Sequence, residues 1–244
     1  MPATPAWPPK SLPRLFVRSA LAQSAAVELD GAQANYLGNV MRLKEGADLL
    51  IFDGATGEWL ARIAEAGKKR MTLSVERQTK ELEQVPDVWL AFAPVKRAQT
   101  DWLVEKATEL GAARLQPTIT QRTIAERVKL ERLESIAIEA AEQCGRTVLP
   151  AIAEPIPLKS LLRDPGRTLY FADETGGEPA ATAFKPRPAT IVTGPEGGFT
   201  DEERAAIRAT PNAVAISLGP RILRAETAAL AALAAYMTVA GDWR

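Results

Sequence analysis

Histidine is absent from all 244 residues, which removes the commonest neutral-pH general base and the commonest metal ligand together. Serine–histidine, cysteine–histidine and histidine–metal mechanisms are thereby excluded, and no metal site is expected. Cys144 is the single cysteine, so an intrachain disulfide cannot form and a thiolate metal cluster lacks ligands. No stretch approaches the roughly 20 uninterrupted apolar residues of a membrane helix. The start also lacks a basic segment followed by an apolar run, and a cytoplasmic protein is expected. Net charge is missing too, with 30 basic against 30 acidic residues. Whole-molecule attraction to nucleic acid is therefore not evident. Residues 1–80 nevertheless carry 11 Lys/Arg against 8 Asp/Glu, and a local basic face can bind phosphate whatever the total.

What is present is 46% hydrophobic and 25% charged, enough to build one sizeable core or a small domain beside a larger one. Residues 1–13 hold five prolines and predict a flexible tail. Residues 14–80 read as a small β-rich domain. Its strands fall at Arg14–Val17, LLIFDG (49–54), EWLARIAEA (58–66) and MTLSVERQ (71–78), with Asp53-Gly54 and Gly57 as turn residues. Residues 32–43 predict a short amphipathic helix. A polar segment, 81–87, serves as linker. From Val88 to the C-terminus at 244, short apolar runs alternate with helical patterns: VWLAFA (88–93), ARLQP (113–117), TLYFA (168–172), ATIVT (189–193) and AVAISL (213–218). That alternation predicts an α/β domain with a parallel sheet. A helix at 129–145 would align Leu130, Leu133, Ile136, Ala137, Ala140, Ala141 and Cys144 on one face, which makes Cys144 a buried helix residue.

Two segments carry chemistry. ATIVT runs into TGPEGGF (193–199), and Thr200 with Glu203 forms a capping box that starts the next helix. In open α/β sheets ligands bind at the carboxyl ends of strands, and Gly194, Gly197 and Gly198 would let backbone groups approach one closely. The spacing matches neither G-x-G-x-x-G nor the Walker phosphate loop. By itself the turn could equally serve folding alone. The second segment, ISLGPRILRAETAAL (216–230), repeats the design: an apolar strand, Gly219-Pro220, then Arg221 and Arg224 leading into an alanine-rich helix. Cations beside a helix N-terminus are electrostatically unfavourable, so their placement points to an anionic partner.

Together these loops resemble the RsmE group of the SPOUT methyltransferases, whose members methylate N3 of a uridine in small-subunit (16S) ribosomal RNA. The similarity extends along the chain through RLFV (14–17), NYLGNVMRLKEGADLLIFDG (35–54), the Lys96 region, EKATELGA (105–112), TQRT (120–123) and EQCGR (142–146). Departures fall at Asn35, Cys144 and Ala225, where histidine, serine and threonine are common; none touches the glycines. The resemblance implies a PUA-like RNA-binding domain followed by a SPOUT domain with a C-terminal trefoil knot, and a homodimer acting on 16S ribosomal RNA or the small ribosomal subunit. It also implies S-adenosylmethionine as cofactor, held by three loops. Their candidate residues are Phe171 and Ala172; Thr193, Gly194, Pro195, Glu196, Gly197 and Gly198; and Leu218, Gly219, Ile222, Leu223 and Arg224.

Methyl transfer to an imide nitrogen requires alignment and removal of a proton. Without histidine, Glu196 and Glu226 are the carboxylates nearest the loops, and Arg221 or Arg224 could stabilise developing negative charge or grip a phosphate. Arg14, Arg18, Arg42, Lys96, Arg122 and Arg146 are the candidate RNA contacts, since phosphate contacts rely on Lys and Arg. Two alternatives compete: a non-catalytic RNA-binding or ribosome-assembly protein, and a SPOUT methyltransferase with another RNA target.

Overall fold

The computed structural model describes residues 12–67, 70–124, 128–164 and 166–243. The expected flexible tail at 1–13 lies outside them except for Leu12 and Pro13. The chain divides into two compact units: residues 1–83 with 142–148, and residues 84–141 with 149–244.

The first unit contains β1 (Arg14–Phe16), β2 (Ala26–Leu29), α1 (Gly31–Asn35), a π-helical turn (Tyr36–Val40), β3 (Asp48–Phe52), β4 (Glu58–Ala66) and β5 (Met71–Lys80). The sheet order is β1-β3-β4-β5-β2, with β1 parallel to β3 and the other pairs antiparallel. Period-two alternation turns Leu49, Ile51, Ala61, Ile63, Leu73 and Val75 into one buried layer. The β3–β4 turn is built by Asp53, whose carboxylate accepts from the Ala55 and Thr56 N–H groups at 2.9 and 2.7 Å and from the Leu21 N–H at 3.2 Å. Burial opposes that charge, but these hydrogen bonds outweigh it and hold the carboxyl below its ordinary range. Gly57 ends the turn at φ +95°, where a Cβ would meet the Lys80 carbonyl oxygen at 2.3 Å.

The single helix expected at 32–43 is instead a one-turn α-helix capped by Asp30 that widens into the π-turn, the Met41 N–H reaching back to the Tyr36 carbonyl. Only Ala34 and Leu37 are buried in it, so the apolar stripe is too short to hold a regular helix.

The second unit contains β6 (Val88–Phe92), α2 (Arg97–Glu109), β7 (Arg114–Ile119), α3 (Leu130–Cys144), β8 (Ala151–Ile152), β9 (Ile156–Pro157), α4 (Leu158–Leu161), β10 (Thr168–Ala172), β11 (Glu178–Pro179), α5 (Ala180–Ala183), β12 (Ala189–Thr193), α6 (Asp201–Arg208), β13 (Ala213–Ser217) and α7 (Ala225–Val239). The last residues of α3, from Glu142, are grouped with the first unit. Its sheet runs β11-β13-β10-β12-β6-β7-β8, every pair parallel, as the alternating pattern predicts. The central strands β6, β10 and β12 and their neighbour β13 are largely apolar on both faces because both are covered. Leu90, Phe92, Tyr170 and Ile191 pack with α2, α3, α5 and α7, whereas Ala91, Phe171 and Val192 pack with α4 and α6. The sheet thereby sends five consecutive loops, from β13, β10, β12, β6 and β7, to its carboxyl-end edge.

Cys144 is exposed, correcting the expected burial. The buried stripe of α3 is Leu133, Ala137, Ala140 and Ala141; the helix ends at Cys144, before another turn could cover the side chain. Among the described residues no helix is long and apolar enough to cross a membrane.

Candidate functional site

Two cavities open at the carboxyl ends of the parallel strands. The first, about 310 Å³, lies beyond β10 and β13 and is walled by Ala172–Gly176, Ile216–Leu223 and Ala228. It gathers Ala172, Leu218, Gly219, Arg221, Ile222 and Leu223 from the candidates. Ile222 is 89% exposed, an apolar side chain at the rim of a partly apolar cavity. Gly219 has φ +112°, a conformation only glycine adopts without strain. Arg221 and Arg224 are exposed, and among the described residues neither forms an ion pair or a side-chain hydrogen bond. Arg224 caps α7 through extended backbone without a side-chain bond. Glu226 is buried in the first turn of α7, where a negative charge complements the helix dipole.

The glycine-rich loop follows β12, the strand between β10 and β6. Its capping box is complete: the Thr200 hydroxyl accepts from the Glu203 N–H at 3.2 Å, and the Glu203 carboxylate accepts from the Thr200 N–H at 3.1 Å. That carboxylate also accepts from the Gln121 N–H at 2.8 Å. Gly198, at φ +67°, leaves room for Glu174, whose carboxylate oxygen would lie 2.7 Å from a Cβ added there. Thr193 and Pro195 are buried, as is Phe171 beneath the loops, so these three can offer a ligand little beyond backbone. Glu196 lines the second cavity and is not among the residues that wall the first.

That second cavity, about 470 Å³, lies beyond β6 and β7 and includes Val95, Lys96, Thr100, Lys129, Leu133 and Glu196. Arg122, an expected RNA contact, stands on the loop after β7 and donates to the Gly197 carbonyl at 2.6 Å, pinning the glycine-rich loop. Arg18 and Arg42 are exposed in the first unit, Arg42 with φ +57°. Arg14 and Arg146 depart from the RNA-binding expectation. Arg14 is 8% exposed in its side chain and donates to the buried Glu58 carboxylate at 2.7 Å and to the Glu142 and Arg146 carbonyls. Arg146 is 6% exposed and pairs with Glu83 at 3.2 Å. Both guanidinium groups are consumed inside the first unit.

The sequence reading misses Asp173. Its buried carboxylate accepts from the Thr175 N–H at 3.0 Å and hydroxyl at 2.8 Å, and pairs with Arg204 and with Arg208, the latter at 2.6 Å. Arg204 also reaches Glu174 at 3.0 Å. Burial disfavours the Asp173 charge, yet the Thr175 bonds and then Arg208 and Arg204 prevail and hold the carboxyl below its ordinary range. The cluster ties the loop that walls the first cavity to the helix that follows the glycine-rich loop. Its signal is Asp-x-Thr, an Asx-turn pattern, together with two arginines four apart on one helix face.

Comparison with known proteins defines the class. Residues 81–237 match the RNA methyltransferase domain family and residues 29–76 the RNA methyltransferase PUA domain family. Among relatives, ribosomal RNA small subunit methyltransferase E of Rickettsia conorii is 34% identical, covering 91% of this chain and 93% of that protein. Its namesake in Synechocystis is 35% identical over 91% of this chain and 76% of that protein. A solved structure of the Neisseria gonorrhoeae protein of the same name, bound to S-adenosyl methionine, superposes with a TM-score of 0.87 at 28% identity, covering 96% of this chain and all of that one. A methyltransferase structure from Legionella pneumophila with bound cofactor SAM gives 0.88 at 28% identity, covering 95% of this chain and 99% of that one. The two-domain architecture is thus that of an RNA methyltransferase with a PUA domain. Within that class, the chain belongs to the ribosomal RNA small subunit methyltransferase E family.

Proposed function

We propose that this protein methylates N3 of a uridine in the 16S ribosomal RNA of the small subunit, using S-adenosylmethionine. One observation carries the reading: the cavity beyond β10 and β13 is framed by the Ala172–Gly176 loop and by the Gly219–Leu223 motif, in a chain that aligns along 96% of its length with a structure bound to S-adenosyl methionine. The donor set fits the group. Leu218, Ile222 and Leu223 offer apolar walls for a flat heteroaromatic ring, the Glu174 carboxylate, already paired with Arg204, places negative charge at the wall, and the Gly219 backbone is open to close approach.

When bound, the cofactor supplies an electrophilic methyl group. The chain's own residues then have three tasks. The loops at 172–176, 193–199 and 218–224 hold and orient, largely through backbone groups. Arg221 and Arg224, exposed near or at this cavity, stabilise negative charge on the acceptor or grip a phosphate. A carboxylate takes up the imide proton, with Glu196 the better placed candidate because Glu226 is buried in a helix turn. Arg18, Arg42 and Lys96 supply exposed positive charge for RNA phosphates, and Arg122 positions the glycine-rich loop.

The same reading includes a cytoplasmic homodimer and a trefoil knot. Trp102, 44% exposed on α2 beside α7, supports a second copy on that face. The knot rests on the resemblance to the SPOUT methyltransferases. Calorimetry with S-adenosylmethionine tests the enzyme reading against an RNA-binding protein without catalysis: binding near a micromolar Kd, about −8 kcal/mol, is expected, and no heat from the folded protein would exclude the enzyme. Arg221→Ala and Arg224→Ala should each slow single-turnover methylation with saturating cofactor; wild-type rates in both would remove the arginines from the mechanism.

A further inference from the structure

We infer that the cavity beyond β6 and β7 is the acceptor subsite and takes a uridine nucleotide, phosphate on Lys96 and Lys129 and base edge on Glu196. The inference rests on the methyltransferase reading above and specifies where its acceptor enters. Strand order carries the first step. The cofactor cavity lies over β10 and β13, this cavity lies over β6 and β7, and β12 with its glycine-rich loop stands between them. The glycine-rich loop contributes Glu196 to this cavity and follows the strand next to β10, so the two cavities are neighbours at the edge where open parallel sheets bind ligands.

The lining selects the ligand class. Four basic side chains, Lys96, Arg97, Lys129 and Arg132, face two carboxylates, Asp101 and Glu196. Asp101 is already committed: Arg132 binds it with nitrogens at 2.7 and 3.0 Å, and Arg97 lies 4.0 Å away. Among the described residues, no side-chain hydrogen bond or ion pair engages Lys96, Lys129 or Glu196. Two uncommitted cations and one uncommitted acceptor thus remain around an apolar floor of Val95 and Leu133. An anionic ligand with a flat body and a hydrogen-bond donor satisfies all of them. A uridine nucleotide has that composition: phosphate oxygens for the lysines, ring faces for the floor, and the N3–H to donate to the Glu196 carboxylate. Its volume of about 470 Å³ lies in the usual range of small-molecule sites. A base must leave its stack to reach such a cavity, which is how enzymes that modify bases gain access to them.

Protein with isotope-labelled Ile, Leu and Val methyl groups, saturated with S-adenosylhomocysteine, is titrated with uridine 5′-monophosphate and followed by NMR. Saturable shifts of the Val95, Ile124 and Leu133 methyls are expected, with Leu218, Ile222 and Leu223 unmoved. In the surface double variant Lys96→Gln/Lys129→Gln, nucleotide affinity should fall at least fivefold and kcat/KM for small subunits at least tenfold, while cofactor affinity stays within twofold. Glu196→Gln should bind cofactor and phosphate alike but lower the single-turnover rate at least a hundredfold. Shifts confined to the Leu218–Leu223 side, no shifts at all, or a double variant with wild-type kcat/KM would each overturn the subsite. Failure of the methyltransferase reading is separate: wild-type protein would then neither bind S-adenosylmethionine nor transfer its methyl.

Discussion

Replacing Asp173 with asparagine probes the link between the two loops of the cofactor site. The side chain keeps its shape and one acceptor for the Thr175 N–H, but loses the charge that faces Arg204 and Arg208. Removing one partner of a buried ion pair costs about 3–5 kcal/mol. The figure is smaller here, because the Arg208 side chain is 48% exposed and water can take over its solvation, and Arg204 retains Glu174. A loss of about 2 kcal/mol in the second unit follows, or roughly 4–8 °C in melting temperature for a unit of this size. Urea unfolding reads it as a lower midpoint at unchanged slope. Since Asp173 holds residues 173–176 against the cavity, the Kd for S-adenosylmethionine should also rise about tenfold, equivalent to about 1.4 kcal/mol. A variant within about 0.5 kcal/mol of wild type that binds cofactor normally would refute the coupling, because it would place the cluster in the range of ordinary surface substitutions.

Three further outcomes follow from named contacts. Gly198→Ala puts a Cβ against the Glu174 carboxylate at a positive φ, and should weaken cofactor binding about tenfold while costing about 1–3 kcal/mol; calorimetry and melting check both. Glu58→Gln leaves Arg14 without its buried counter-charge and should destabilise the first unit by about 3 kcal/mol, with cofactor affinity, read on the folded fraction, unchanged. Asp53 and Asp173 both have lowered pKa values. Their stabilisation is complete above the ordinary carboxylate value near 3.9 and is lost as pH falls through the lower folded values; urea midpoints between pH 5 and 2.5 should fall, and less steeply in Asp53→Asn/Asp173→Asn.

The parallel sheet is legible because β6, β10, β12 and β13 are largely apolar runs of the kind that both-sided burial demands, although β7 carries Arg114 and Gln116, and the capping box of α6 is legible because its two side chains are three residues apart. The two cavities are less so. Gly194–Gly198 and Gly219 announce close backbone approach, but that Glu196 turns toward Lys96 and Lys129 depends on strand order, which sequence spacing does not encode. Arg14 and Arg146 show the same limit from the other side: a basic residue in a family-like context looks free until Glu58 and Glu83, far away in sequence, are brought against it. Cys144 continues a helical stripe on paper, yet the helix stops there and leaves it at the surface.

The central claim is tested most directly by incubating the protein with methyl-labelled S-adenosylmethionine and small ribosomal subunits from cells lacking the enzyme, then digesting the RNA to nucleosides. Label in 3-methyluridine from 16S ribosomal RNA, at close to one methyl per subunit, is the expected result. Label in a ribose, in another base or in a transfer RNA, or no label at all from protein that is folded and binds cofactor, would contradict it.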